Sequence, residues 1–246
     1  MHRNGFLAGA AVAGVIAAAS PALSQPRAVL ELFTSQGCSS CPPADRLMGE
    51  YTERDDLLAL SFNIDYWDYL GWKDTLASHD FSARQKAYSE ARGDRQVYTP
   101  QIIVNGGEHV VGSNRGAVDG ALKRAEETGL PVPITLSTSD DAVEVHIGAA
   151  STDAAKGTLW LVMYDPTVTV PIQRGENKGE TVTYHNVVRK LRPIAMWKGE
   201  AMSVDLPKFE INQAKVARCA VLLQTEKQEG LPGVILGAAS LNEKPQ

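Results

Sequence analysis

The sequence predicts an α/β domain with a mixed central sheet, followed by a mainly antiparallel, β-sandwich-like domain. Three observations lead there. An apolar run, Ala28 to Phe33, enters Thr34-Ser35-Gln36-Gly37-Cys38-Ser39-Ser40-Cys41-Pro42-Pro43, and helix-forming sequence leaves it. Up to Leu130 the segments then read strand, helix, strand, helix, two strands around glycines, helix. Beyond Leu130-Pro131-Val132-Pro133, short alternating segments separated by turn signals replace that pattern. The chain has 246 residues, 43% of them hydrophobic and 22% charged, enough to bury one large core or two small ones. A net charge of −5 gives no basic footprint for nucleic acid. Three cysteines are too few for a disulfide-stapled small domain.

Residues 1–24 read as a secretory leader. Arg3 lies in a short first region, Phe6 to Ala19 is apolar and small, and Ala22 and Ser24 stand at the minus-three and minus-one places of a cleavage site. The apolar stretch is short for a membrane span, and a retained anchor is the alternative. No lipobox cysteine comes after it, and no later stretch reads as a span. The expected location is the periplasm or the medium, where disulfides persist.

Ala28 to Phe33 is the first strand. The turn after it opens a helix from Pro43 to about Tyr51, and proline fits there because the first helical positions need no donor. Cys38 and Cys41, one helical turn apart at a helix N-terminus, form a dithiol/disulfide pair. Cys38 is expected to be the exposed, attacking thiol and Cys41 the more buried, resolving one. A purely structural disulfide is the second reading. Zinc is the third, and one CxxC without a second CxxC or CxxH supplies only two of four ligands. No metal or cofactor is assigned.

Glu31 interrupts the apolar strand between Leu30 and Leu32. A carboxylate there needs a role or a partner. It is expected either behind the cysteines, taking the proton of Cys41 during exchange, or paired with a buried arginine such as Arg46, or at a solvated edge. Leu57 to Ile64 is the second strand, parallel to the first in a right-handed βαβ unit. Both strands end at the same sheet edge, so the segment after the second one lies beside the cysteines. That segment is Asp65-Tyr66-Trp67-Asp68-Tyr69-Leu70-Gly71-Trp72-Lys73-Asp74, and Tyr66, Trp67, Tyr69 and Trp72 are candidates for a substrate-facing wall. The alternative is a loop that packs its rings into the core. Phe81 to Arg92 reads as a helix stopped by Gly93. Ile102 to Asn105 and His109 to Gly112 read as a hairpin around Gly106-Gly107, and Asn114 to Glu127 as a helix capped by Asn114.

In this order of elements, Ala28 to Leu130 resembles the thioredoxin fold. The stretches GCSSCPPAD, SFNIDYWDYLGWKD, RQKAY, YTPQIIVNG and YHNVVR resemble more specifically domain-of-unknown-function family 1223 (DUF1223), secreted bacterial proteins. The resemblance implies a thioredoxin-like domain over 25–130 and thiol redox activity. It also implies a cis Thr99–Pro100 bond beside the disulfide, presenting Thr99 to a substrate strand. Ser39-Ser40 differs from the dipeptides of well-studied thioredoxin-like enzymes. With no histidine next to Cys38, less thiolate stabilisation is expected than in a strong oxidant.

The second domain, 131–246, is expected to hold seven or eight strands and no strong helix. His185 meets the dithiol only if its hairpin folds over the first domain. Cys219, in an apolar strand, reads as a buried, inert thiol, with intermolecular pairing as the alternative. The function expected is an exported thiol–disulfide oxidoreductase acting through Cys38 and Cys41, with Thr99 and Pro100 aligning a protein or small thiol/disulfide substrate. A redox partner protein would complete the cycle. The alternatives are a non-catalytic binding protein with a static bridge, and a Cu(I) carrier using Cys38, Cys41 and a histidine.

Overall fold

Strand β1 (Ala28–Thr34) is buried along its whole length. The computed structural model describes residues 25–151, 156–213 and 216–241. The leader expected over 1–24 lies outside the described residues. Ala28, Leu30 and Leu32 of β1 pack with Ala44, Leu47, Met48 and Tyr51 of α1 (Pro42–Thr52). Those four helical positions take the i, i+3, i+4, i+7 spacing of one apolar face. Val29 and Phe33, on the other face, pack with Phe81 and Tyr88 of a later helix. Two-sided burial explains why β1 reads as a continuous apolar run rather than an alternation.

β2 (Leu57–Asn63) pairs parallel to β1. A single 3-10 turn over Asp68–Leu70 folds the aromatic stretch. Helix α2 (His79–Arg92) is capped by Ser78, whose Oγ accepts from the Asp80 N–H at 3.3 Å, and ends on Gly93 at φ 77°. β3 (Gln101–Val104) and β4 (Glu108–Val111) form the expected hairpin. Its two central residues are Asn105 (φ 47°) and Gly106 (φ 69°), not Gly106-Gly107. The Gly107 N–H reaches the Val104 carbonyl at 2.9 Å, so the positive-φ pair of a hairpin turn falls one residue earlier. Helix α3 (Arg115–Thr128) begins on Asn114, whose Oδ1 accepts from the Ala117 N–H.

The chain continues through β5 (Ile134–Thr138), β6 (Ala142–Ile147), β7 (Gly157–Pro171), β8 (Thr181–Trp197) and β9 (Met202–Pro207). Helix α4 (Lys208–Gln213), which the sequence pattern does not anticipate, precedes β10 (Arg218–Glu226) and β11 (Pro232–Leu241). The strands after Leu130 do not all form a sheet of their own. β7, β8, β10 and β11 extend the first sheet, in the order β11-β10-β7-β8-β2-β1-β3-β4, while β5, β6 and β9 form a separate antiparallel sheet. The three-stranded sheet covers the outer part of the large one. Val143, Val145 and Leu206 face Leu159, Leu161, Val221 and Leu223 across a shared core. The sheet continues because β2 would otherwise end it, and an unpaired edge beside a buried strand is a liability.

β7 and β8 are 15 and 17 residues long and pair from Gly157↔Trp197 to Pro171↔Thr181. β8 crosses β2 at one bridge, Ser61↔Val187. Asn186 bends there (φ 45°) and donates to the Ala59 carbonyl. The remainder of the β7–β8 arm runs back along α1 toward the cysteines.

The Asn105–Gly106 turn docks on β11, whose Ile235 N–H reaches the Asn105 carbonyl at 2.9 Å. A Cβ on Gly106 would stand 2.5 Å from the Gly233 carbonyl oxygen. Gly106→Ala is therefore expected to combine an unfavourable positive φ with a backbone clash and cost about 2–3 kcal/mol. Urea denaturation at constant slope measures this, and a loss below about half a kcal/mol would show that the turn can shift away from β11.

Candidate functional site

The polar turn after β1 positions the cysteines. The Cys38 N–H donates to the Ser35 carbonyl and the Cys41 N–H to the Cys38 carbonyl. Cys41 is the N-cap of α1, and its carbonyl accepts the N–H groups of Ala44 and Asp45. Cys38 and Cys41 are joined by a disulfide. Prolines occupy the first two helical positions, so α1 offers fewer N–H donors to a thiolate than an ordinary helix end. The hydroxyl of Ser40 lies 3.4 Å from the Cys38 sulfur and supplies a polar contact in their place.

The expectation of an exposed Cys38 is corrected. Cys38 is 2% exposed and Cys41 fully buried, although Ser39 and Ser40 are exposed. The reason is the tip of the β7–β8 arm. Asn177 Nδ2 donates to the carbonyls of both Gln36 and Cys38 at 2.9 Å, and the Ser39 N–H reaches Glu176 Oε2 at 3.4 Å.

For Glu31 the alternative of a buried arginine partner holds, with a different arginine from the one named. The Glu31 side chain shares the β1 face of Val29 and Phe33, opposite α1. Arg84 Nε donates to its Oε1 at 2.7 Å and the Tyr88 hydroxyl to its Oε2 at 2.5 Å. Arg84, not Arg46, is the partner. It also reaches the Tyr88 hydroxyl and Gln224 Oε1.

The carboxyl that stands on the cysteine side is Asp45. It lies four residues after Cys41, hence on the same helical face. Asp45 is 2% exposed, and Thr34 Oγ1 donates to its Oδ1 at 2.7 Å while its Oδ2 is buried without a hydrogen-bond partner. Burial pushes its carboxyl up to about 8. The Thr34 hydrogen bond offsets part of this, and the charge of Asp74 adds to it. Asp74, itself raised by burial, accepts from the Gln36 and Leu76 N–H groups and from Asn63. The i+4 spacing of Cys41 and Asp45 was readable in the sequence. Nothing in the Arg174–Gly179 turn distinguished Asn177.

The cis bond at Thr99–Pro100 is present. Ser40 Oγ lies 3.4 Å from the Thr99 carbonyl, joining the cysteine loop to this segment. The aromatic stretch divides. Trp67 donates from Nε1 to Thr99 Oγ1 at 2.8 Å, and a Cβ on Gly37 would stand 3.0 Å from Trp67 Cβ. Tyr69, 77% exposed, stacks on Trp67 with ring centroids 6.3 Å apart. Trp72 donates to Gln36 Oε1 at 2.8 Å. Tyr66 donates to Gln85 on α2 and lies beside the Trp67 ring, with centroids 5.9 Å apart. Trp67 and Trp72 thus border the cysteine loop, while Tyr66 and Tyr69 stand behind Trp67, with Tyr66 also against Thr99.

His185 does not meet the dithiol. It packs on Gly49, two helical turns along α1 from Cys41, where a Cβ would stand 2.7 Å from its Nε2. Cys219 is buried and unpaired, and burial pushes its thiol up to about 11. Among the described residues no group of three or more His, Cys, Asp or Glu converges as a metal site, and no helix is long and apolar enough to cross a membrane.

The fold and this site define a mixed α/β protein with a disulfide at the start of a helix. The chain belongs to the family described as "Protein of unknown function (DUF1223)", whose model matches residues 29–224. It is similar to protein AGR_C_4864 from Agrobacterium tumefaciens, known as a crystal structure. That chain is 38% identical, with 89% of this chain and 95% of that one covered and a TM-score of 0.79. It also shares its fold with HBP35 of Porphyromonas gingivalis, at 12% identity and a TM-score of 0.61, with 90% of this chain and 77% of that one covered. No curated protein matches the chain.

Proposed function

We propose that the protein is an exported thiol–disulfide oxidoreductase with a thioredoxin-like N-terminal half. The observation that supports it best is the Cys38–Cys41 disulfide one helical turn from a buried carboxyl that keeps its proton to about pH 8. In exchange, a substrate thiolate attacks the Cys38 sulfur, the Cys38–Cys41 bond breaks, and the Cys41 sulfur leaves with the electron pair. Asp45 supplies the proton that Cys41 takes up. In the reverse half-reaction Asp45 accepts it back as Cys41 attacks the mixed disulfide at Cys38. Thr99 and Pro100 align the substrate strand, with Trp67 and Tyr69 beside it. The role first expected of Glu31 passes to Asp45. A leader over residues 1–24 would deliver the chain where such chemistry is common. A protein or small thiol/disulfide is the substrate class, and a redox partner protein resets the couple.

The near-complete burial of Cys38 favours a second reading, a static bridge in a binding protein. The reduction potential separates the two. Titrated against glutathione and dithiothreitol, a working couple is expected between roughly −120 and −270 mV. Cys41→Ser is then expected to accumulate a mixed disulfide at Cys38. A potential below about −300 mV, with no adduct on Cys41→Ser, would establish the static bridge.

A further inference from the structure

Disulfide exchange needs nothing from residues 172–180, yet these residues close over the cysteines. We propose that the tip of the β7–β8 arm is a redox-responsive cover on the dithiol. Asn177 and Glu176 hold it shut over the disulfide form, and the negative charge that reduction leaves on Cys38 loosens it.

The contacts are specific to the loop that carries Cys38. Asn177, 7% exposed, uses its amide to bridge the Gln36 and Cys38 carbonyls. Glu176 sets a carboxylate at the Ser39 N–H, one residue from Cys38. Gly175 seats the tip on Trp72, where a Cβ would stand 3.1 Å from the tryptophan Cβ, and Trp72 in turn holds Gln36. One residue, Asn177, is buried between Gln173 and Glu180, so little apolar area resists opening. Gly175 (φ 78°) and Gly179 (φ 92°) lie either side of Asn177, and the base is closed by the Ile172 N–H on the Glu180 carbonyl.

Reduction by a dithiol moves two electrons into the Cys38–Cys41 bond. The reductant leaves as its own disulfide, Cys41 keeps one proton, Cys38 remains a thiolate and one proton goes to solvent. That thiolate is then one residue from the Ser39 N–H that holds the Glu176 carboxylate. The elements packed on this loop also carry Asp45 and Arg46 on α1, Asp65, Asp68, Lys73 and Asp74 in the aromatic loop, and Arg174, Lys178 and Glu180 on the tip. Asp74 is occupied by its own hydrogen bonds, and Arg174 and Lys178 flank Glu176 from the solvent side. This sets an order of access, resting on the exchange reading. A small thiol or dithiol reaches the closed disulfide form, and a protein disulfide reaches the open, reduced form.

Trypsin reads the cover directly, because Arg174 and Lys178 lie on it. In the chain from residue 25 onward, cleavage after these residues is expected to be about tenfold faster once excess dithiothreitol has reduced the bond. Glu176→Gln is expected to remove most of that increase and to lower the midpoint of Cys38 alkylation against pH by about half a unit. Cys38→Ser/Cys41→Ser, which lacks both bond and charge, is expected to be cut at the slow rate. Equal cleavage of the oxidised and reduced chain overturns the cover. Fast cleavage of the double serine variant, or an unmoved alkylation midpoint in Glu176→Gln, overturns the part given to charge. A large excess of dithiothreitol also drives reduction of a couple somewhat below about −300 mV. A potential below about −300 mV with the cleavage difference intact would therefore remove the exchange reading and leave the cover standing.

Discussion

Replacing Asp45 by Asn is expected to slow reduction of the Cys38–Cys41 bond by about a hundredfold at pH 7, the usual size of a lost general acid. Asp45 shares a helical face with Cys41, its carboxyl is buried, and burial raises it to about 8. At pH 7 it carries the proton that the departing Cys41 sulfur needs. After division by the reductant's thiolate fraction, the wild-type rate is expected to fall as pH rises through about 8, and the Asp45→Asn rate to stay flat. Stability offers an independent readout. The folded protein holds this proton up to about 8, whereas the unfolded chain releases it near 3.8. The folded state thus binds more protons between these values. Its stability, full below about 4, declines as pH rises toward 8. Asp45→Asn removes that decline, a difference of several kcal/mol at most. Identical pH profiles for the two proteins, in rate and in stability, would assign the proton to another group.

Replacing Arg84 by Met is expected to cost about 3–5 kcal/mol, because it leaves Glu31 buried without its cation. The side chains of Arg84 and Glu31 are 7% and 0% exposed and meet at 2.7 Å. Tyr88 and Gln224 close the group. The Arg84 guanidinium lies 4.9 Å from the Tyr88 ring centroid, and Gln224 Nε2 donates to the Tyr88 hydroxyl and to the Gly233 carbonyl. Glu31→Leu combined with Arg84→Met is expected to recover more than half of the loss, since two well-packed apolar residues need no pairing. Urea denaturation of the two single variants and the pair completes the cycle. A cost for Arg84→Met alone below about 1 kcal/mol would mean that Glu31 finds another partner or takes up a proton.

The legible part of the sequence was local. The apolar run of β1, the glycine before Cys38 and the prolines after Cys41 specify strand, turn and helix within a short stretch. The parallel βαβ rule then brings Trp67 beside the cysteines. Glu31 was visible as an acid in an apolar strand, whereas Asp45, next to Arg46 in the first turn of α1, looked like an ordinary helix-start acid. The alternation of β1 groups Glu31 with Val29 and Phe33 but does not say whether α1 or α2 covers that face. The return of β8 to β2 was not legible, because one bridge at Ser61↔Val187 leaves no periodic trace. Asn177 was hidden for the same reason. A lone asparagine in a polar turn looks like any other turn residue until the arm is laid along α1.

The two cysteines are three residues apart, while Asn177 comes 139 residues after Cys38. At synthesis rates of about 5–20 residues per second, the interval between them is on the order of ten seconds. For that time a nascent chain carries both sulfurs with no enclosure. A bond made in the interval is walled in afterwards, and a pair still reduced when Asn177 arrives keeps the cover loose until it closes.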